Sequence, residues 1–311
     1  MKNANRRTFL KAFGFSLAGL GLSQADRANA IEPFKRAGAP RLSLSLAAYS
    51  FRDYFKDGNN RRDAKADRDK QIDLFQFIDY CAEHGCQGAE LTSYYFPPNC
   101  DREFLLRLRR HAFLRGIAIS GTAVGNTFTD EKKRPQEILG VKKWIDHAGI
   151  MGAPHIRIFA GSAANGQSAT QARDLCINAI EECCEYAGSK GIFLGLENHG
   201  GIVTEPDGVL EIVRAVKSPW FGVNLDTGNF HTDDPYADLA RCAPYAVNVQ
   251  IKVEISRRGQ KNEPADLARV IKILRDANYQ GYVALEYEAT EDPWKAIPGY
   301  LKRMKELLAS S

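Results

Sequence analysis

From Arg41 to the C-terminus, short runs rich in aliphatic and β-branched residues alternate with longer stretches of helical period, eight times over. The strand candidates are Leu42–Ala48, Gly88–Thr92, Ile117–Gly121, His155–Phe159, Ile192–Glu197, Phe221–Asp226, Ala246–Lys252 and Tyr282–Glu288. Between and after them fall helix candidates at Lys70–His84, Arg102–Arg115, Gln136–Gly149, Thr170–Lys190, Pro206–Val216, Pro235–Ala243, Pro264–Asn278 and Trp294–Leu308. Gly85, Gly116, Gly191 and Gly281 stand where each helix has to close before the next strand. Such alternation is the sequence form of repeated βα units. An open doubly wound sheet would show it too. Eight units in 311 residues, with no linker or composition break, favour one closed (β/α)8 barrel, a fold of about 250 residues.

Residues 1–30 read as a segment apart. Asn5-Arg6-Arg7-Thr8-Phe9-Leu10-Lys11 forms a charged head, Ala12 to Leu22 a short apolar stretch, and Ala28-Asn29-Ala30 a small-x-small cleavage signal. The apolar stretch is well short of the roughly 20 residues that span a bilayer. No cysteine follows it directly, which argues against a lipoprotein anchor. The paired arginines before Thr-Phe-Leu-Lys resemble a twin-arginine signal, which implies recognition by the Tat export machinery and delivery of an already folded protein to the periplasm or beyond. The expected division is therefore a signal peptide at 1–30 and a single barrel at 31–311.

Lys2, Arg6, Arg7, Lys11 and Arg27 against Asp26 account for the basic excess of the chain, since removing them takes 42 basic residues to 37 and 38 acidic residues to 37. The mature protein is formally neutral and carries no charge footprint for nucleic acid or an anionic membrane. Its seven cysteines form no C-x-x-C pair and no disulfide framework. Cys176, Cys183 and Cys184 fall in a helical pattern and read as small buried apolar side chains.

Chemistry concentrates at the C-terminal ends of the last four strands. Leu194-Gly195-Leu196-Glu197, Val223-Asn224-Leu225-Asp226, Val249-Gln250-Ile251-Lys252 and Ala284-Leu285-Glu286-Tyr287-Glu288 each follow an apolar run with polar residues. That end of a barrel is where active sites form. Strand alternation puts Asn224 with Asp226 on one face, and Asn248, Gln250 and Lys252 likewise, with Val223, Leu225 and Val249 facing the helices. Any one of these carboxylates could be a cap or a solvated rim residue. Several converging inside a barrel repel each other and are costly unless paired or bound to a cation. Glu197, Asp226, Gln250 and Glu286 form an oxygen-only donor set that suits one divalent cation, Mg2+ or Mn2+, better than a thiol- or imidazole-seeking ion.

The strings Leu196-Glu197-Asn198-His199-Gly200-Gly201, Asn224-Leu225-Asp226-Thr227-Gly228-Asn229 and Val249-Gln250-Ile251-Lys252 resemble the xylose isomerase-like barrel superfamily of sugar isomerases and epimerases, over nearly the whole mature chain. The resemblance implies that Glu197, Asp226, Gln250 and Glu286 are the metal ligands. It also implies that Glu197 and Glu286 act from opposite sides as the acid and base of an enediolate proton transfer. Two positions depart from the common pattern. Gln250, a residue shared with hydroxypyruvate isomerase-like members, stands where most relatives carry histidine, and Asn229 stands where many sugar epimerases carry a substrate-contacting histidine.

Five further residues are candidates for substrate binding. Lys252 shares the face of Gln250 and could donate to a substrate oxygen or form a salt bridge to Glu286 or Glu288. His199 and His231 sit in loops just beyond strand ends. Arg157 could hold substrate hydroxyls or serve as counter-ion of Glu197. Glu90 ends the second strand and could meet sugar hydroxyls or be structural. Tyr94-Tyr95-Phe96-Pro97-Pro98 could stack on a sugar or form a hydrophobic cluster, and the charged run Arg52 to Arg68 could be a lid or a solvated loop. No phosphate cradle of recognised spacing occurs. The expectation is a metal-dependent isomerase or epimerase of a sugar or small keto-sugar, compatible with a homo-oligomer. The rivals are a metal-dependent lyase acting on 3-keto-glycosides and a non-catalytic sugar-binding barrel. DNA-repair endonucleases of the same superfamily use several zinc ions and many histidines, against six histidines here.

Overall fold

In the computed structural model, which describes residues 31–57 and 68–309, the eight expected units are all present. They run β1 (Arg41–Ala47), α1 (Leu74–Glu83), β2 (Gly88–Thr92), α2 (Arg102–Leu114), β3 (Ala118–Ala123), α3 (Arg134–Met151), β4 (His155–Ile158) and α4 (Ala169–Ser189). The second half continues with β5 (Phe193–Glu197), α5 (Pro206–Ala215), β6 (Phe221–Asp226), α6 (Pro235–Cys242) and β7 (Ala246–Ile251). After β7 a small antiparallel pair, β8 (Glu254–Ile255) and β9 (Glu263–Pro264), precedes α7 (Leu267–Asp276), β10 (Gln280–Leu285) and α8 (Pro293–Ala309). Strands β1 to β7 and β10 are all parallel and close on each other in the order β1-β10-β7-β6-β5-β4-β3-β2. The closed (β/α)8 barrel is thus established and the open sheet is not. The signal-like segment and most of the run Arg52 to Arg68 lie outside the described residues.

Local chemistry explains the element ends. Asp73 accepts from the backbone N–H of Gln76 while the Gln76 side chain accepts from that of Asp73, closing a capping box at the start of α1; Ser168 and Gln171 repeat the device at α4. Asp101 and Asp266 cap α2 and α7 singly. Gly85, Gly116 and Gly191 follow their helices with φ of 65°, 69° and 70°, as their sequence positions require. Gly281 does not play that role. The left-handed turn after α7 belongs to Asn278 (φ 51°), and Gly281 lies within β10, where a Cβ would stand 2.5 Å from the Tyr279 hydroxyl. Its constraint is close packing rather than backbone conformation.

Period-two alternation sets the two sides of the sheet apart. Leu44, Leu46, Leu91, Ile156, Leu194, Leu196, Val223, Leu225, Val249 and Leu285 are fully or almost fully buried and join the helix residues Phe77, Leu105, Ile145, Ile180 and Ile212 in one core between sheet and helices. Cys176, Cys183 and Cys184 are part of that layer, and all seven cysteines are free thiols. The inward residues are polar instead: Ser45, Glu90, Ser120, His155, Asn224 and Asn248 are all buried. Ser45 and Ser120 share a hydrogen bond of 2.7 Å inside the barrel. At Gly121 an added Cβ would lie 1.9 Å from the His155 ring. Gly121→Ala is therefore expected to destabilise the fold by about 1–3 kcal/mol or more, read as a loss in the midpoint of denaturant unfolding. No helix of the described residues is long and apolar enough to cross a membrane.

Candidate active site

Strand register brings the polar residues together. Glu197 pairs with Asn224 across β5 and β6, and Asp226 with Gln250 across β6 and β7. The Asn198 side chain donates to the Asp226 carbonyl and accepts from the Asp226 N–H, both at 2.9 Å, so it extends the ladder and fixes the end of β6. β10 stops at Leu285, three residues short of the predicted end, which leaves Glu286 and Glu288 on the loop that follows; the Glu286 N–H still donates to Ile251 and holds its place beside β7. Glu197, Asp226 and Glu286 are all buried at this mouth, between 0% and 6% exposed.

Two cations are interposed among the carboxylates. Arg157 Nε stands 2.8 Å from Glu197 Oε2. Its N–H is not aimed at that oxygen, so the contact is ionic, while Nη1 donates to the Val124 carbonyl at 2.7 Å and the guanidinium lies 3.9 Å over the Phe159 ring. Arg157 thus stands against Glu197 as its counter-ion. Lys252 Nζ lies 2.8 Å from Glu286 Oε2 and 3.3 Å from Asp226 Oδ2, and also contacts Glu288. Lys252 is thus salt-bridged to Glu286 and Glu288, and to Asp226 as well. Burial opposes charge on both cations, but their carboxylate neighbours outweigh it and keep them protonated.

Beneath the mouth, an amide network crosses the barrel. Gln250 Nε2 donates to Glu90 Oε1 at 2.6 Å, Asn248 Nδ2 to Glu90 Oε2 at 2.7 Å, and Asn224 Nδ2 to Gln250 Oε1 at 2.6 Å. The ionised Glu90 carboxylate only accepts, so it orients the Gln250 amide with its NH2 group inward and its oxygen toward Asn224. Sequence reasoning named Glu90 and Gln250 but not their mutual bond, because the partners are 160 positions apart.

The remaining candidates lie at the rim. His199 packs against the Phe159 ring at 4.5 Å, and burial, then the nearby Arg157, lower its proton affinity, which favours the neutral imidazole. His231 Nδ1 is 2.5 Å from the Ser256 hydroxyl. His231, Asn229, Lys252, Ser256 and Glu288 line a cavity of about 150 Å3 at the mouth, and Asn229 donates to Glu197 Oε1 at 3.0 Å. The aromatic loop divides: Tyr95 stacks on Phe55 at 4.2 Å and Phe96 is buried, as the hydrophobic-cluster reading requires, whereas Tyr94 is only partly buried, against Tyr49.

Burial shifts the acids strongly. Desolvation pushes Glu90 up to about 7, helped by the Glu286 charge and opposed by the bonds from Gln250 and Asn248. Desolvation likewise carries Asp226 to about 7 against the pull of Lys252. For Glu197 the ion pair with Arg157 argues for a lowered value; complete burial together with Asp226 and Glu286 wins, and the group rises to about 8. A carboxyl whose folded value exceeds its ordinary one near 4 stabilises the fold at acid pH and loses that contribution as pH rises through the folded value. The melting temperature of the metal-free protein is therefore expected to fall between about pH 5 and 8, each group contributing at most about 1.4 kcal/mol per pH unit. Calorimetric melting across that range checks it, and Glu90→Gln should flatten the slope.

Whether these residues suit a divalent cation can be judged from their chemistry. Asp226 Oδ2 is buried with no hydrogen-bond donor, and the acids outnumber the two interposed cations. Glu197, Asp226 and Glu286 thus offer hard oxygen donors of the type a divalent cation takes. Among the described residues no three acidic, histidine or cysteine side chains form a ready-made cage, and Arg157 and Lys252 already engage these carboxylates.

A closed parallel barrel with charged groups gathered at its C-terminal mouth has the architecture of (β/α)8 enzymes. The chain belongs to the xylose isomerase-like TIM barrel family, whose sequence profile matches residues 78–304. It is 24% identical over 181 residues to a putative hydroxypyruvate isomerase of Xenopus laevis, a match covering 53% of this chain and 66% of that protein, just under two thirds of the relative's length. Its fold resembles 3-keto-D-glucoside 4-epimerase from E. coli (TM-score 0.63, 15% identity, 86% of this chain and 100% of that one). It also resembles a xylose isomerase-like TIM barrel protein from Mycobacterium smegmatis in complex with magnesium (TM-score 0.66, 18% identity, 86% and 96%). At these identities the structural likeness speaks to fold.

Proposed function

We propose that this chain is a divalent-metal-dependent isomerase or epimerase that moves a proton on the carbon beside the carbonyl of a sugar or small keto-sugar. The observation that carries the reading is the gathering of buried Glu197, Asp226 and Glu286 at the barrel mouth, beside a cavity lined by Asn229, His231 and Lys252. Family membership and the sugar-epimerase neighbour agree with it. Glu197, Asp226, Gln250 and Glu286 make up the donor set; the Gln250 oxygen accepts from Asn224 and keeps its second lone pair for the ion. When bound, Mg2+ or Mn2+ would polarise the substrate carbonyl and offset the negative charge that develops there.

The protein's own groups supply the proton chemistry. Glu197 and Glu286 are the pair of which one removes the proton and the other returns it. Burial raises the proton affinity of Glu197 toward neutrality, which suits a base that must both take and release a proton near pH 7. Arg157 and Asn229 hold its two oxygens in place. His231 and Lys252 face the cavity and are positioned to meet substrate hydroxyls, while His199 packs against Phe159. Glu90, bonded into the amide network, braces Gln250 from below.

A lyase acting on a 3-keto-glycoside shares the first proton removal and differs only in expelling the substituent on the next carbon. Incubating the metal-loaded protein with free ketoses and with 3-keto-glycosides, followed by carbohydrate NMR, separates the two. Isomerised or epimerised sugar supports the proposal, a released aglycone with an unsaturated keto-sugar supports the lyase, and binding without turnover of either contradicts both. Export by the twin-arginine route accompanies this reading, on the strength of Arg6-Arg7 and Ala28-Asn29-Ala30; mass spectrometry of the exported protein should find an N-terminus at Ile31.

A further inference from the structure

The position of Lys252 has a consequence for cation binding. Its backbone N–H donates to the Thr227 hydroxyl at 2.9 Å, so the residue is anchored just past β7. Its stem runs against Gly228, where a Cβ would fall 2.7 Å from Lys252 Cβ and 2.6 Å from Cγ. Only glycine leaves the stem that path. The ammonium then ends among Asp226, Glu286 and Glu288. The first two are nearly inaccessible, whereas the Glu288 side chain is 30% exposed and borders the cavity of about 150 Å3.

Resting on the functional reading above, Asp226 and Glu286 are wanted by two cations at once. A divalent ion and an ammonium compete for the same carboxylate oxygens, since a lone pair given to one is withdrawn from the other and the two cations repel each other at such distances. We propose that Lys252 is an exchangeable counter-cation: its ammonium neutralises Asp226 and Glu286 in the metal-free protein, and metal loading displaces it toward Glu288 and the cavity. The distal carbons of the side chain are free to make that move, because the contacts with Thr227 and Gly228 fix only the backbone and the base of the stem. Glu288 keeps the ammonium paired at the rim, where it faces the substrate cavity. Lys252 thereby sets the affinity for the metal and, once displaced, presents a donor to the substrate.

Titration of the metal-free full-length protein with Mn2+, with free Mn2+ followed by electron paramagnetic resonance, tests this without any activity readout. Lys252→Met and Lys252→Gln are expected to bind Mn2+ at least tenfold more tightly than the unaltered protein, about 1.4 kcal/mol. Lys252→Arg retains the charge and should stay within a few-fold of it. Glu288→Gln takes away the alternative partner and should weaken binding several-fold. A purely structural ion pair predicts lower melting temperatures with no gain in Mn2+ affinity, and equal or weaker binding by Lys252→Met and Lys252→Gln overturns the proposal while leaving the metal-dependent reading intact. Should either variant fail to fold, the Glu288→Gln and Lys252→Arg affinities decide alone, and a Glu288→Gln site that binds as tightly as the original contradicts the exchange. Absence of Mn2+ binding in the unaltered protein and every variant instead removes the functional reading, and the exchange with it.

Discussion

Glu197→Gln is expected to cut turnover by about 10^2- to 10^4-fold while the barrel stays folded. Glutamine fills the same volume at the end of β5 but cannot carry a proton to or from carbon. Its amide also cannot satisfy both neighbours: Asn229 donates to one oxygen at 3.0 Å and Arg157 sits 2.8 Å from the other, so one contact becomes donor against donor. That conflict costs about 1–3 kcal/mol of stability, or roughly 2–4 °C of melting temperature per kcal/mol in a domain of this size. A thousandfold loss of rate corresponds to about 4 kcal/mol of barrier, so the catalytic deficit exceeds anything partial unfolding would produce. Steady-state kinetics beside thermal melting separate the two, with kcat reduced and the melt shifted by roughly 2–12 °C. Glu286→Gln should show a comparable kinetic loss.

Arg157→Met should be the most destabilising single change at the site. The residue is 4% exposed, and its removal strips Glu197 of a counter-ion and leaves the Val124 carbonyl without its 2.7 Å donor. Breaking a buried ion pair from one side costs about 3–5 kcal/mol because the remaining charge is stranded. Glu197 has a way out, since its proton affinity is already raised to about 8 and rises further without the guanidinium. By taking up a proton it avoids the stranded charge at low pH. The sign follows directly: a raised folded value gives stability that is present in acid and lost as pH climbs through it. Chemical denaturation should show a loss near the lower end of the range at pH 6 and a larger one at pH 9. A loss independent of pH would mean that Arg157 acts through packing on Phe159 alone.

Much of this arrangement is legible in local sequence and some is not. The eight strand and helix runs announce themselves because each strand buries one face against helices, and period-two and period-3.6 patterns survive in a single chain. Glu197 and Asp226 stand out as the charged ends of apolar runs, and the pairing of Arg157 with Glu197 and of Lys252 with Glu286 and Glu288 follows from shared faces at neighbouring strand ends. Contacts across the barrel carry no such signal. Nothing near Gln250 in sequence reveals that Glu90, on β2, orients its amide. Nor does the Gly281 position disclose that Tyr279 crowds it, since a glycine before a strand looks the same whether it closes a helix or admits a neighbouring ring. The β8–β9 pair also escaped notice, because two residues per strand are too few to show a period. The helix after it begins at Leu267, where Asp266 caps it, rather than at Pro264.

Solvent deuterium exchange at the carbon next to the carbonyl of a ketose, followed by proton NMR with the full-length protein and Mg2+ or Mn2+, tests the central claim most directly. The assignment of Glu197 and Glu286 as the proton-transfer pair predicts exchange that depends on the metal, stops on chelation, and is lost in Glu197→Gln and Glu286→Gln. Exchange that persists through chelation and through both substitutions would contradict it.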